Sequence, residues 1–207
     1  MRILSLVKKN NYVTVTFDND EKLRLHYEVA VKCGLRKNDE LSEEEIKSIQ
    51  KTEEKFNLKN SALRLISRRP HSSFELRVKL QKKNFNKDGI SEIIKDFLAK
   101  GYLSDNDFAE RFIDEGIKKK KGLMKIKAEL FSKGVSREIV DSVLLKFDDV
   151  PLLSSNAKLL ALKKINSLNH KELAPQQIKQ KLYSYLGGKG YSSEIIREVI
   201  EELVQEE

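Results

Sequence analysis

"GLMKIKAELFSKGVSREIVDSVL", residues 122–144, decides the fold. Ile126 is followed one helical turn later by Leu130. A break at Lys133-Gly134 comes next, and helical spacing resumes with Glu138-Ile139-Val140 and Val143-Leu144. The segment predicts a helix, a short turn and a second helix. Its pattern recurs on both sides. "SSFELRVKLQKKNFNKDGISEIIKDFL" (72–98) carries Leu76 and Leu80, a polar break, Glu92-Ile93-Ile94 and Phe97-Leu98. "PQQIKQKLYSYLGGKGYSSEIIREVI" (175–200) carries Ile178 and Leu182, a glycine-containing break, Glu194-Ile195-Ile196 and Val199-Ile200. Columns that agree in three copies indicate an internal repeat.

Each copy follows another helical stretch: "FNLKNSALRLIS" from Phe56, "SDNDFAERFIDEGIKK" from Ser104 and "PLLSSNAKLLALKKI" from Pro151. The unit is therefore three helices. A segment that short buries too little surface to stand alone, whereas units in series share a core. The fold class expected is mainly α: a tandem array of three three-helix units, elongated and curved. The expected repeats occupy residues 55–101, 102–149 and 150–207. Ser72 with Glu75, and Ser104 with Asp107, have the spacing of helix caps.

Residues 1–54 read differently. "YVTVTF" (12–17) and "KLRLHY" (22–27) alternate as strands do, with a "DND" turn between them, and "RILSLV" supplies a third strand. A small antiparallel β-meander results, and its apolar face needs a partner. Glu28 to Gly34 reads as a short helix ending at a C-cap glycine. "LSEEEIKSIQKTEEKF" follows. Ser42 and Glu45 suit a capping box, and seven acids against two lysines from Asp39 to Glu54 mark an acidic linker helix.

The chain has 207 residues, a net charge of +8 and a pI near 9.3, so an acidic partner fits, nucleic acid first among them. A basic surface alone also fits an ordinary soluble protein. Cys33 is the single cysteine, which excludes an intrachain disulfide and suits a reducing, cytoplasmic setting. No apolar run is long enough to span a bilayer, and no signal peptide is evident. No catalytic set stands out. His26, His71 and His170 lack metal-ligand spacing, so no metal and no cofactor are expected. "GGKGYSS" (187–193) lies between helices, out of the strand–loop–helix context of a phosphate loop. Phe97, Phe108 and Phe112 fall at core positions. Asp105 and Asp107 suit capping better than a nuclease metal site.

Basic residues gather near the turns: Arg68 and Arg69 before Pro70, Lys82 and Lys83 before Asn84, Lys118, Lys119, Lys120 and Lys121 before Gly122, Lys125 just after it, and Lys133 before Gly134. The helix dipole favours one or two lysines at a C-terminus. It does not account for four in a row, which repel one another. These residues are the candidate partner or nucleic-acid contacts, and they suit phosphates or carboxylates better than base stacking.

The text "ALRLISRRPHSSFELRVKL", "GYLSDNDFAERFI" and "GLMKIKAELFSKGVS", in this order and spacing, resembles the RecX regulatory proteins of bacteria. The resemblance is clear from Ser61 to Phe147 and weaker in the third unit. It implies an all-helical tandem of three-helix units and no enzymatic activity. It also implies binding along the groove of a RecA–DNA filament, with inhibition of recombinase activity in DNA repair, recombination and the SOS response. The partners expected are that filament and single- or double-stranded DNA, and a monomer is expected. A plain DNA-binding protein that grips phosphates is the alternative. Relatives often carry arginine before the residue matching Gly122, where this chain has only lysine and so lacks bidentate pairing.

Overall fold

A computed structural model describes residues 1–147, 149–168 and 173–204. Among them it shows three strands and ten α-helices. The chain divides into two units, one made of residues 1–69 and 76–100, the other of residues 70–75 and 101–207.

The first unit opens with β1 (Ile3–Lys9), β2 (Tyr12–Phe17) and β3 (Lys22–His26), antiparallel in the order β1-β2-β3. Alternation decides which face is inside. Val13, Val15 and Phe17 are buried while Tyr12, Thr14 and Thr16 face outward. The turn residues Asn10 and Asp20 take positive φ, as hairpin connections demand. α1 (Tyr27–Lys32) is the short helix expected before Gly34. His26 caps it, Nδ1 accepting from the Glu28 amide at 3.3 Å.

α2 (Glu43–Ile66) is a single helix of 24 residues. Reading the sequence split it between a linker helix and the first helix of the first repeat. Nothing around Lys55-Phe56 breaks a helix, so the two run together. The Ser42–Glu45 capping box forms as expected. The acidic half is more than a linker: Ile46 and Ile49 complete the sheet core with Ile3, Val13, Val15, Phe17, Leu25 and Ala30. The other half buries Leu58 and Ala62. α3 (Ser73–Gln81) and α4 (Lys87–Ala99) complete the first repeat and bury Leu76, Leu80, Ile90, Ile94 and Phe97.

The second unit carries α5 (Asp105–Lys118), α6 (Leu123–Ser132) and α7 (Arg137–Leu144), then α8 (Val150–Asn166), α9 (Pro175–Lys189) and α10 (Ser193–Leu203). These two repeats share one apolar cluster, running from Phe108 and Ile113 through Ile126, Leu130 and Val140 to Leu182, Leu186 and Ile196. Phe108 and Phe112 stack within it at 5.9 Å.

The repeats agree in one detail that fixes their register. Between the second and third helices a residue takes positive φ: Asn84 at 61°, Gly134 at 71° and Gly190 at 89°. Two residues later comes an N-cap whose side chain accepts from the next helix: Asn86, Ser136 and Ser192. Between them lie Phe85, Val135 and Tyr191. Val135 donates to the Leu130 carbonyl and Tyr191 to that of Leu186, the six-to-one bond of a Schellman turn. Counting back from these turns aligns Leu76-Leu80 with Ile126-Leu130 and Leu182-Leu186. The sequence columns pair Ile178 with Leu182, one helical turn early. Ile178 is half-buried, and Leu186 is the fully buried partner. Likewise Gly89-Ile90, not Ile93-Ile94, matches Ile139-Val140. A pattern of period 3.6 survives a slip of one turn almost unchanged.

No helix among the described residues is long and apolar enough to cross a membrane. His170 lies outside the described residues. Cys33 is half-buried at the end of α1, against the sheet core.

Candidate partner interface at the lysine-rich turn

The four lysines close α5. Ser104 starts that helix, its hydroxyl accepting from the Asp107 amide at 3.1 Å. At its end Lys119 is the C-cap, Lys120 takes the left-handed conformation at φ 55°, and Lys121 leads to Gly122. The Lys120 amide donates to the Ile117 carbonyl at 2.8 Å and the Lys121 amide to that of Gly116 at 3.0 Å. This is a Schellman turn with lysine where glycine is usual. Gly122, the one glycine at this turn, does not supply the reversal. Its φ of −75° is ordinary, so the reversal falls on Lys120 instead.

Gly122 is required for a different reason. Its amide donates to the Lys189 carbonyl at 2.9 Å, and the Met124 amide donates to that of Gly190 at 3.1 Å. A Cβ on Gly122 would collide with the Gly190 carbonyl carbon and oxygen, and a Cβ on Gly190 with the Lys125 backbone. The helix ends at "KKKKG" and "GGKGY" are thus pressed backbone to backbone, which explains Gly122 and Gly190 as a contact between the second and third repeats. Tyr191, 3% exposed, inserts beneath and donates its hydroxyl to the Lys120 carbonyl at 3.0 Å.

Burial, with a smaller contribution from Tyr185, pushes the Tyr191 phenol up to about 12. It therefore stays a donor at neutral pH. A folded pKa above the unfolded value of about 10 stabilises fully below pH 10, and that contribution is lost as pH rises through about 12. Wild-type protein should accordingly lose more stability between pH 10 and 12 than Tyr191→Phe, in urea midpoints measured across that window. At neutral pH the substitution should cost about 1 kcal/mol for the lost hydrogen bond.

The lysine side chains differ in what they touch. Lys118 reaches Asp114 at 2.6 Å and Lys119 reaches Glu115 at 3.2 Å, both exposed pairs one helical turn apart. The Asp114 hydrogen bond and charge raise the Lys118 pKa. Lys121 bonds both oxygens of Glu129, at 2.8 and 2.6 Å, in a half-buried pair. Lys120 has no ion-pair partner among the described residues. Exposed pairs contribute little and exchange readily for other anions, so Lys118, Lys119 and Lys120 form the available part of the cluster.

The other candidates are more scattered. Lys125 sits on the first turn of α6, its Nζ 3.5 Å from the Gly188 carbonyl. Lys133 is the α6 C-cap and is tied inward. It meets Glu75 at 2.9 Å, lies 5.3 Å above the Phe112 ring, and its carbonyl accepts from the Ser72 hydroxyl at 2.6 Å. Glu75 comes 58 positions earlier in the chain, so no local pattern could have revealed this pair. Asp105, two positions before Asp107, accepts from the amide and hydroxyl of Ser73 at 2.7 and 2.6 Å, a structural role. Arg68 and Arg69 are exposed after α2, and Lys82 and Lys83 are exposed in the turn after α3. These four belong to the first unit, the lysine turn to the second. Among the described residues no cluster of His, Cys, Asp and Glu is placed to hold a metal ion.

Three family models match the chain: the first three-helix domain of RecX at residues 59–97, the second at 104–144 and the third at 154–200. The regulatory protein RecX of Clostridium botulinum (strain Eklund 17B / Type B) is 32% identical over 203 residues, spanning 97% of this chain and 94% of that protein. The regulatory protein RecX of Haemophilus influenzae (strain PittEE) is 35% identical over 142 residues, 68% of this chain and 91% of the relative. A crystal structure of a regulatory protein RecX shares the fold, with a TM-score of 0.74 at 21% identity over 100% of this chain and 99% of its own. The crystal structure of RecX from Lactobacillus salivarius gives a TM-score of 0.66 at 27% identity over 73% and 97%.

Proposed function

The chain belongs to the RecX family of regulatory proteins, and on that premise we propose that it is a non-enzymatic modulator that binds the RecA–DNA filament in the bacterial cytoplasm. It inhibits the recombinase and so tunes recombination, DNA repair and the SOS response. The Lys118–Lys121 turn is the proposed contact, facing the acidic filament. The observation that carries this reading is Lys120. A non-glycine residue in the left-handed region costs roughly 1–2 kcal/mol, and here the half-buried residue carries an amine with no ion-pair partner among the described residues. Strain of this kind collects where a side chain serves function.

Two variants test it. Changing Lys118, Lys119 and Lys120 to Gln, with the half-buried Lys121–Glu129 pair left in place, should leave folding almost unaltered and weaken binding to a recombinase–DNA filament. If the partner atoms are phosphates, the log–log salt slope should fall by about 0.9 per lost contact on duplex, or about 0.7 on single strands. Lys120→Gly should raise stability by up to about 1 kcal/mol, because glycine adopts this φ freely, and still weaken the filament complex. Unchanged filament affinity in both variants would reduce the run to a solvated helix end. The alternative, a sequence-independent DNA binder, is separated by competition. A filament binder keeps inhibiting in excess naked DNA, and a phosphate-gripping protein is titrated away.

A further inference from the structure

The outward face of the N-terminal sheet carries a charge arrangement that the lysine turn does not explain. Residues directly opposite in an antiparallel pair share a face. The register places Lys9 across from Tyr12, Arg24 across from Thr14, and Lys22 across from Thr16. All of these lie on the face away from Val13, Val15 and Phe17. Ser5 and Val7 occupy the matching positions on β1, and Val7 is 60% exposed. No aspartate or glutamate stands on this face. Asp18, Asp20 and Glu21 belong to the β2–β3 hairpin beyond one end. At the other end Glu53 is already engaged, by the His26 amide at 2.8 Å and the Asn57 side chain at 2.9 Å.

Lys9, Lys22 and Arg24 are exposed and have no ion-pair partner among the described residues. The Arg24 guanidinium carbon lies 4.2 Å over the Tyr12 ring, a contact that anchors it beside the sheet without neutralising it. Tyr12 in turn is braced by the His26 ring, at 5.6 Å edge-on. A solvated protein face ordinarily intersperses both signs of charge. This one presents cations, hydroxyls, the Tyr12 ring and the apolar Val7, with no carboxylate among its strand residues.

We infer that this sheet face is a binding surface for single-stranded nucleic acid. Lys9, Lys22 and Arg24 take phosphates, the threonine hydroxyls donate to the same oxygens, and the exposed plane of Arg24 supports a base. A planar guanidinium stacked on an aromatic ring is a platform that unpaired bases use. Duplex offers no unstacked base to that platform, which is why the single strand is the occupant. The surface is independent of the Lys118–Lys121 turn, and naked oligonucleotide tests it without any filament.

The experiment uses the full chain with Lys9, Lys22 and Arg24 changed to Gln. Fluorescence anisotropy with labelled oligothymidylate and with a labelled duplex is followed across salt. The control removes equal charge from exposed positions of α2, as Lys47→Gln, Lys51→Gln and Lys59→Gln. Three lost phosphate contacts should lower the single-strand salt slope by about 2 and weaken binding on the order of a hundredfold near 0.1 M salt. The control should keep both. Thermal melting of the variant checks that the sheet is intact. Unchanged oligothymidylate binding, or an equal loss in the control, would overturn the assignment. So would a wild-type preference for duplex that the sheet variant abolishes.

Discussion

Gly190→Ala should destabilise the protein by about 2–5 kcal/mol. The left-handed φ of 89° costs an L side chain roughly 1–2 kcal/mol. The new methyl would also overlap the Lys125 backbone, and overpacking of this kind adds about 1–3 kcal/mol. The two causes separate experimentally. Asparagine tolerates positive φ, and Asn84 holds the equivalent position of the first repeat at φ 61°. Gly190→Asn should therefore remain damaging, because its Cβ meets the same backbone. If Gly190→Asn restores wild-type urea midpoints, dihedral strain alone matters and the two turns are not in tight contact. Gly122→Ala attacks the contact from the other side without dihedral strain, so its cost should be the smaller, and the double variant should cost less than the sum.

Leu182→Ala should cost about 2–5 kcal/mol, the range for a leucine emptied from a packed core. Leu182 is fully buried in the cluster shared by the second and third repeats. Ile178→Ala, one turn earlier on α9, should cost roughly 1–2 kcal/mol, since part of that side chain is already in water. Chemical denaturation of the two variants decides the register. Equal losses would mean that the repeat is aligned on Ile178 and that the turn at Gly190 is a poor landmark.

The three-helix repeats, the sheet and the caps were legible because each rests on local chemistry. Apolar residues one turn apart, Ser42 with Glu45, and alternation in "YVTVTF" act within a few positions of themselves. The register of the repeats was not legible to the last turn. Ile178, Leu182 and Leu186 lie on one helix face, and only the conformation at Gly190 chooses among them. The continuity of α2 was missed because a change in charge resembles a boundary, while a helix ends only where backbone conformation changes. The lysine turn was legible as a cluster. Its details were not: Lys133 is engaged by Glu75, and Gly122 serves contact instead of reversal. Both depend on partners brought together by tertiary structure. Gly187-Gly188-Lys189-Gly190 reads as a connection between helices, but Gly187, Gly188 and Lys189 form the last turn of α9 and only the stretch from Gly190 to Ser192 connects; nothing local says that its backbone lies against another turn.

The unbroken α2 determines where this chain can be cut. One ladder of hydrogen bonds passes from the sheet core at Ile46 and Ile49 to the first repeat at Leu58 and Ala62. A new end inside it would strip four amides of their carbonyl partners and discard the Ser42 cap. Any fragment meant to carry the first repeat therefore has to begin ahead of Ser42, and it then brings Ile46 and Ile49 with it, stripped of the strands that cover them. The acidic stretch that looks like a tether in the sequence is a rigid spar, and shortening or lengthening it by one residue would rotate one set of buried residues by about 100° against the other.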